Sequence, residues 1–156
     1  MEVSYDARDV IRVFNAYPTQ SLRRLNKLIE GGAIDIQREM RMKVSVGATG
    51  ETRRSINYRT GPLSAEIKSD LDPARIAALE KGSRPHWTSA KPGTPLHRWA
   101  VHKGISPYAV QYSIAKKGTK AHPFIGPTYT KMRGPVQRDI INGFGRFIGE
   151  IDNGRI

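Results

Sequence analysis

At 156 residues, 38% of them apolar and none cysteine, the chain is long enough for one domain with its own core, and disulfides, thiolate catalysis and cysteine-based zinc sites are excluded. Its formal charge of +12 favours a polyanion or an acidic protein surface as neighbour. No apolar run reaches the length of a membrane span and the N-terminus lacks a signal-peptide pattern, so assembly inside a cell without membrane contact is expected.

Val10, Val13, Phe14 and Tyr17 recur at helical spacing, which predicts a short amphipathic helix over Asp6–Ala16 that ends before Pro18. A longer pattern follows. Leu22, Leu25, Ile29, Ala33, Ile36, Met40 and Val44 keep one face in phase from Thr19 to Ser45, across Gly31-Gly32. Two interior glycines cost about 2 kcal/mol against alanine, less than the burial of several aliphatic side chains returns. One long helix with a soft spot at the glycines is expected, with two hinged helices as the alternative. Gly47-Ala48-Thr49-Gly50 breaks it, and a hairpin over Thr52–Ser69 follows, turning at Gly61-Pro62. Three cap-proline starts with glycine stops then predict short helices: Asp72-Pro73 to Gly82, where an extended Arg75–Leu79 is the alternative, Thr94-Pro95 to Gly104, and Ser106-Pro107 to Gly118. The connection at 82–93 has no periodicity and reads as a mobile loop. Gly118, Pro123, Phe124, Ile125 and Pro127 form a restricted joint before the last helix, where Gly134-Pro135 marks a kink or a fresh start. Val136, Ile140, Phe144, Phe147 or Ile148, and Ile151 give that helix its apolar stripe, and residues 152–156 read as a loose tail.

Charge is unevenly placed. Acidic residues stop at Glu80 and resume at Asp139, and eleven Lys or Arg and all four histidines lie between. Outside that window 15 basic residues face 14 acidic ones. The candidate contact residues are Arg84, His86, Trp87 and Lys91 in the 82–93 loop and Lys116, Lys117 and Lys120, all inside the window, with Arg53, Arg54 and Arg59 around the hairpin, because hairpin and loop are expected to project and carry little core.

Chemistry is harder to find. His97 and His102 are five apart, on different faces of a short helix, and His86 and His122 are isolated, so converging zinc ligands are not supplied. Asp70 and Asp72 have no second acidic cluster with which to hold the metal ions of a nuclease. No nucleophile elbow, P-loop or dinucleotide fingerprint is present. Neither catalytic residues nor a cofactor nor a metal is expected, and the chain reads as no enzyme. Nucleic-acid binding is the stronger rival, because Trp87, Trp99, Tyr108 and Tyr112 fall inside the basic window, although Trp99 beside Leu96 reads better as a core anchor.

Three segments, in order, resemble the tail-completion (minor tail component, or neck) family of long-tailed bacteriophages. Val46-Gly47-Ala48-Thr49-Gly50-Glu51-Thr52-Arg53-Arg54-Ser55-Ile56 is similar to a P-V-D-T-G-x-L-R-x-S-I segment. Ala74-Arg75-Ile76-Ala77-Ala78-Leu79-Glu80-Lys81-Gly82-Ser83 is similar to Y-A-x-x-V-E-x-G-T. Gly118-Thr119-Lys120-Ala121-His122-Pro123-Phe124-Ile125-Gly126-Pro127-Thr128 is similar to a GT-x-A-x-P-F-hydrophobic-x-P-A joint. The Pro and Asp of the first pattern are absent, and Thr128 replaces a small residue at the end of the last.

The resemblance implies an α+β single domain over 1–156, with a small antiparallel sheet and projecting hairpin on a long N-terminal helix, further short helices and a C-terminal helix. It implies a structural virion protein, assembled in the host cytoplasm, that forms a hexameric or dodecameric ring at the head–tail junction. Its partners would be connector or portal-side proteins and tail-tube or tail-terminator proteins, around a channel for DNA.

Overall fold

The computed structural model describes residues 6–44 and 50–155. The architecture is α+β. In chain order the elements are α1 (Ala7–Ala16), α2 (Pro18–Lys43), α3 (Glu51–Ser55), β1 (Ile56–Gly61), β2 (Ser64–Ser69), α4 (Pro73–Lys81), α5 (Pro95–His102), α6 (Pro107–Lys117) and α7 (Ile125–Asp152). The two strands pair as an antiparallel hairpin. The chain gathers into two compact units, one of Met1–Arg38, Tyr58–Ile67 and Tyr129–Ile156, the other of Glu39–Asn57 and Lys68–Thr128.

The first unit is built on the apolar stripes of α1, α2 and α7. Val13, Phe144, Phe147 and Ile148 form its buried cluster, with Val10, Phe14, Leu25, Leu28 and Ile151 packed around it. Phe14 and Phe147 each meet the ring of Phe144 in tilted arrangements, with centroids 5.4 and 5.6 Å away, which adds to area burial. Asp6 caps α1 by accepting the Arg8 N–H at 3.0 Å. At the other side of this unit Arg12 reaches Asp152 at 2.8 Å.

α2 runs unbroken through Gly31-Gly32. The reason is packing. A Cβ on Gly32 would lie 2.6 Å from Val136 Cγ1, whereas one on Gly31 would meet nothing within 4 Å. Gly143 of α7 reciprocates, because a Cβ there would collide with Leu28 Cδ2. Each helix thus offers a glycine hole to a branched side chain of the other. The turn of the hairpin is held by α2, where Asn26 Oδ1 accepts the Leu63 N–H at 2.7 Å. Leu63 itself takes φ +51°, unusual for a residue with a Cβ.

Several local expectations change. The hairpin begins at Ile56 rather than Thr52, because 51–55 form the helical turn α3 after Gly50 at φ +62°. Regular apolar alternation starts only at Ile56, so no strand face extends further back. The expected glycine break before α3 lies mostly outside the described residues. α7 starts at Ile125, two residues before Pro127, and continues through Pro135. Residues 152–155, expected as loose, close α7 with a hydrogen-bonded cap. Arg155 N–H donates to Glu150 O at 3.0 Å, Gly154 N–H donates to Ile151 O at 2.9 Å, and Gly154 takes φ +64°, the left-handed closure that favours glycine.

Candidate interaction surface

The second unit carries most of the net positive charge. It holds 14 Lys and Arg against 5 Asp and Glu, an excess of nine, while the first unit holds 12 against 9, an excess of three. Its short helices start as their local sequence dictates. Asp72 accepts from Ala74 N–H at 2.9 Å and Thr94 from His97 N–H at 3.3 Å, each before a proline whose missing N–H costs nothing there. Ser106 occupies the corresponding position before Pro107 without a side-chain cap bond.

Two segments some forty residues apart converge at the end of α4. Leu79 O accepts the His122 N–H at 2.8 Å. Ser83 and Thr119 exchange both backbone bonds at 3.1 Å, and their hydroxyls meet at 2.8 Å. The glycine before each partner is required. Gly82 and Gly118 take φ +76° and +72°, and a Cβ on Gly82 would lie 2.5 Å from Thr119 O, with one on Gly118 still deeper inside Ser83 O. Glu80 completes the junction. Its carboxylate accepts from Phe124, Ile125 and Gly126 N–H at 2.8, 3.2 and 3.1 Å. A helix leaves its first four N–H groups without internal partners. At α7 three of those go to Glu80, and the fourth position is Pro127, which has none. Burial raises the Glu80 pKa, but the three N–H bonds together outweigh it and hold the group below the ordinary carboxylate value.

In the sequence Glu80 marks the edge of the acid-free window and matches the Glu of the second resembling segment, but neither reading gives it a role at the start of α7. The missed signal was the pairing of an acid at a helix C-terminus with a distant Pro-Phe-x-x-Pro start, a link that spacing alone cannot reveal. The joint residues serve the same junction. Phe124 is 2% exposed, its anchor in the core, while Ile125 at 39% is not.

The contact candidates are exposed: Arg53 and Arg54 on α3, Arg59 on β1, Arg84, His86, Trp87 and Lys91 before α5, and Lys116, Lys117 and Lys120 around the end of α6. The structure joins some of them. His86 N–H donates to Ile114 O at 3.4 Å and Gln111 Nε2 donates to Thr88 O, so the 82–93 connection is tied along α6. This draws Arg84, His86 and Trp87 towards the helix that ends in Lys116-Lys117. Arg59 falls in the first unit and Lys91 lies further along, where Thr94 Oγ1 donates to Ser89 O and Lys91 O. Trp87 at 72% and Tyr108 and Tyr112 at 64% are open to solvent. Among the described residues no three His, Asp or Glu side chains converge as metal ligands, and no helix is long and apolar enough to cross a membrane.

An apolar groove lies between α4, α5 and α6. It has a volume of about 470 Å³, with Ala78, Leu79, Leu96, Trp99, Val110 and Ile114 among its lining. Among the described residues, Arg75, Lys120 and His122 are the titratable groups on its wall and no carboxylate lines it. Trp99, expected as a core anchor, is half-buried and faces this groove.

No family model matches the chain, nor does any curated protein or solved structure.

Proposed function

We propose that the protein is a structural, non-enzymatic component of a long-tailed phage virion, a tail-completion or neck protein that assembles as a ring where tail meets head. One observation carries this reading. The described parts of the three segments that resemble the family are linked in the second unit. Glu51 pairs with Arg75 at 3.1 Å, and the end of α4 is bonded to the 118–126 segment through Leu79, Glu80 and Ser83. Residues that fit one family pattern in order and also hold one another in place support a shared architecture better than separate short matches do. The charge fits the role in one way: the excess of nine on the second unit suits contact with an acidic face of an adjacent ring.

The test is assembly. Light scattering and negative-stain microscopy of the protein mixed with connector, portal and tail-tube subunits should show ring-shaped complexes. A strict monomer that binds none of the three overturns the proposal. Exposed Trp87, Tyr108 and Tyr112 beside lysines favour a second reading as a nucleic-acid binder, since bare aromatic faces stack bases. It requires micromolar or tighter binding of single-stranded DNA or RNA with a steep salt dependence that charge reversal at Lys116, Lys117 and Lys120 reduces.

A further inference from the structure

The groove between α4, α5 and α6 is unlike the exposed aromatic surface beside it. Its apolar lining is largely aliphatic, from Leu79, Leu96, Val110 and Ile114, together with the half-buried indole of Trp99. A cleft of about 470 Å³ falls in the size range of sites that enclose a ligand's apolar groups. The groups that can carry charge on its wall are all cationic or neutral: Arg75, Lys120 and His122. Arg75 is occupied by Glu51, while Lys120 and His122 have no carboxylate within ion-pair distance among the described residues. Glu80, next to Leu79, is taken up by the Phe124, Ile125 and Gly126 N–H groups, and residues 81–138 contain no acid.

Apolar lining and cationic rim select for the same kind of occupant. Nucleic acid would satisfy the rim and leave the aliphatic lining wet, since bases stack on flat aromatic faces. A neutral apolar segment would cover the aliphatic lining but gain nothing from Lys120, whose exposed ammonium would stay in water. We propose that the groove is a docking site for an acidic segment of a partner protein, one that seats large apolar side chains on Leu79, Val110 and Ile114 and places a carboxylate against Lys120. The inference rests on the geometry of the second unit and does not depend on the head–tail reading. Aromatic and aliphatic anchors in desolvated pockets with charge at the rim are the usual anatomy of tight peptide sites.

The experiment selects ligands without presuming a partner. A random twelve-residue peptide library displayed on beads is selected on the intact protein and counter-selected on Val110→Asp, which places a charge in the apolar lining. Lys120→Glu, at an exposed position that leaves the fold intact, serves as the second variant, and circular dichroism of both variants checks folding. Binding is read from Trp99 fluorescence in a Trp87→Phe background, where Trp99 is the sole tryptophan. The expected result is enrichment of peptides that combine Asp or Glu with Leu, Phe or Trp, that shift Trp99 emission, and that lose at least tenfold in affinity on Lys120→Glu. Three results overturn the proposal: no peptides that depend on the groove, peptides indifferent to Lys120→Glu, or displacement of selected peptides from Trp99 by a single-stranded oligonucleotide. Failure of ring assembly with intact peptide binding would count against the head–tail role alone.

Discussion

Glu80 and Thr128 sit at the two ends of the first turn of α7 and have opposite energetics. Glu80 satisfies three donors with one carboxylate. Truncation in Glu80→Ala leaves the part-buried Phe124 N–H without its partner and the exposed Ile125 and Gly126 N–H groups to water, and is expected to cost about 1–2 kcal/mol in urea denaturation. Glu80→Gln keeps an acceptor and costs less, but it removes the titration. A carboxylate held below its unfolded value of about 4.3 contributes in full above that pH, and the contribution is lost as pH falls through the lower folded value. Denaturation midpoints followed from pH 6 downwards should therefore show a steeper acid limb for the wild type than for Glu80→Gln. Parallel limbs would mean that another group controls acid unfolding. Thr128 is fully buried, and its Oγ1 has no hydrogen-bond partner among the described residues. It is also the position where the chain departs from the small residue of the resembled pattern. Thr128→Val keeps the shape and removes the unpaired hydroxyl, so a gain of about 1 kcal/mol is expected. A loss would show that the hydroxyl is satisfied in solution.

Elements that rest on local chemistry were legible in the sequence. Asp6, Asp72 and Thr94 each announce a helix because a short oxygen-bearing side chain meets backbone donors two or three residues on, and the stripe from Val136 to Ile151 reports its own burial. What was hidden depends on partners remote in sequence. The Glu80 cap acts across 44 residues, and the groove exists only once Leu79, Trp99 and Val110 have been brought together from three helices. Gly31-Gly32 shows the limit clearly. As a pair they read as a soft spot, yet one faces Val136 and the other faces open space. Their alanine variants should consequently differ in sign. Gly31→Ala gains about 0.5–1 kcal/mol from reduced unfolded-state freedom. Gly32→Ala drives a methyl into a stiff β-branched neighbour and loses about 1–3 kcal/mol. Thermal unfolding of the two single variants decides it, and equal effects would show that α2 and α7 do not meet at Gly32 in solution.

At the scale of the molecule the unequal charge of the units is the property most open to test. Lys116, Lys117 and Lys120 are exposed and lie in a unit with an excess of nine positive charges. Reversing all three to glutamate changes the charge by six and brings that unit to the same excess as the other. None of the three makes an ion pair among the described residues, so the loss of stability should be small, about 1 kcal/mol per site at Lys116 and Lys117, which sit in the last turn of α6 where a carboxylate opposes the helix dipole, and less at Lys120. Association is different. If the basic face meets an acidic ring, attraction across it acts within a Debye length of about 8 Å at physiological salt and about 3 Å at 1 M. Salt and charge reversal should then have the same effect on the assembled mass measured by light scattering. Wild-type complexes with connector or tail-tube subunits should dissociate as salt rises towards 1 M, and the triple variant should already fail to form them at low salt while retaining its circular dichroism. Assembly that survives both treatments would place the interface elsewhere, on the apolar surfaces, and leave the basic window as a solvated face.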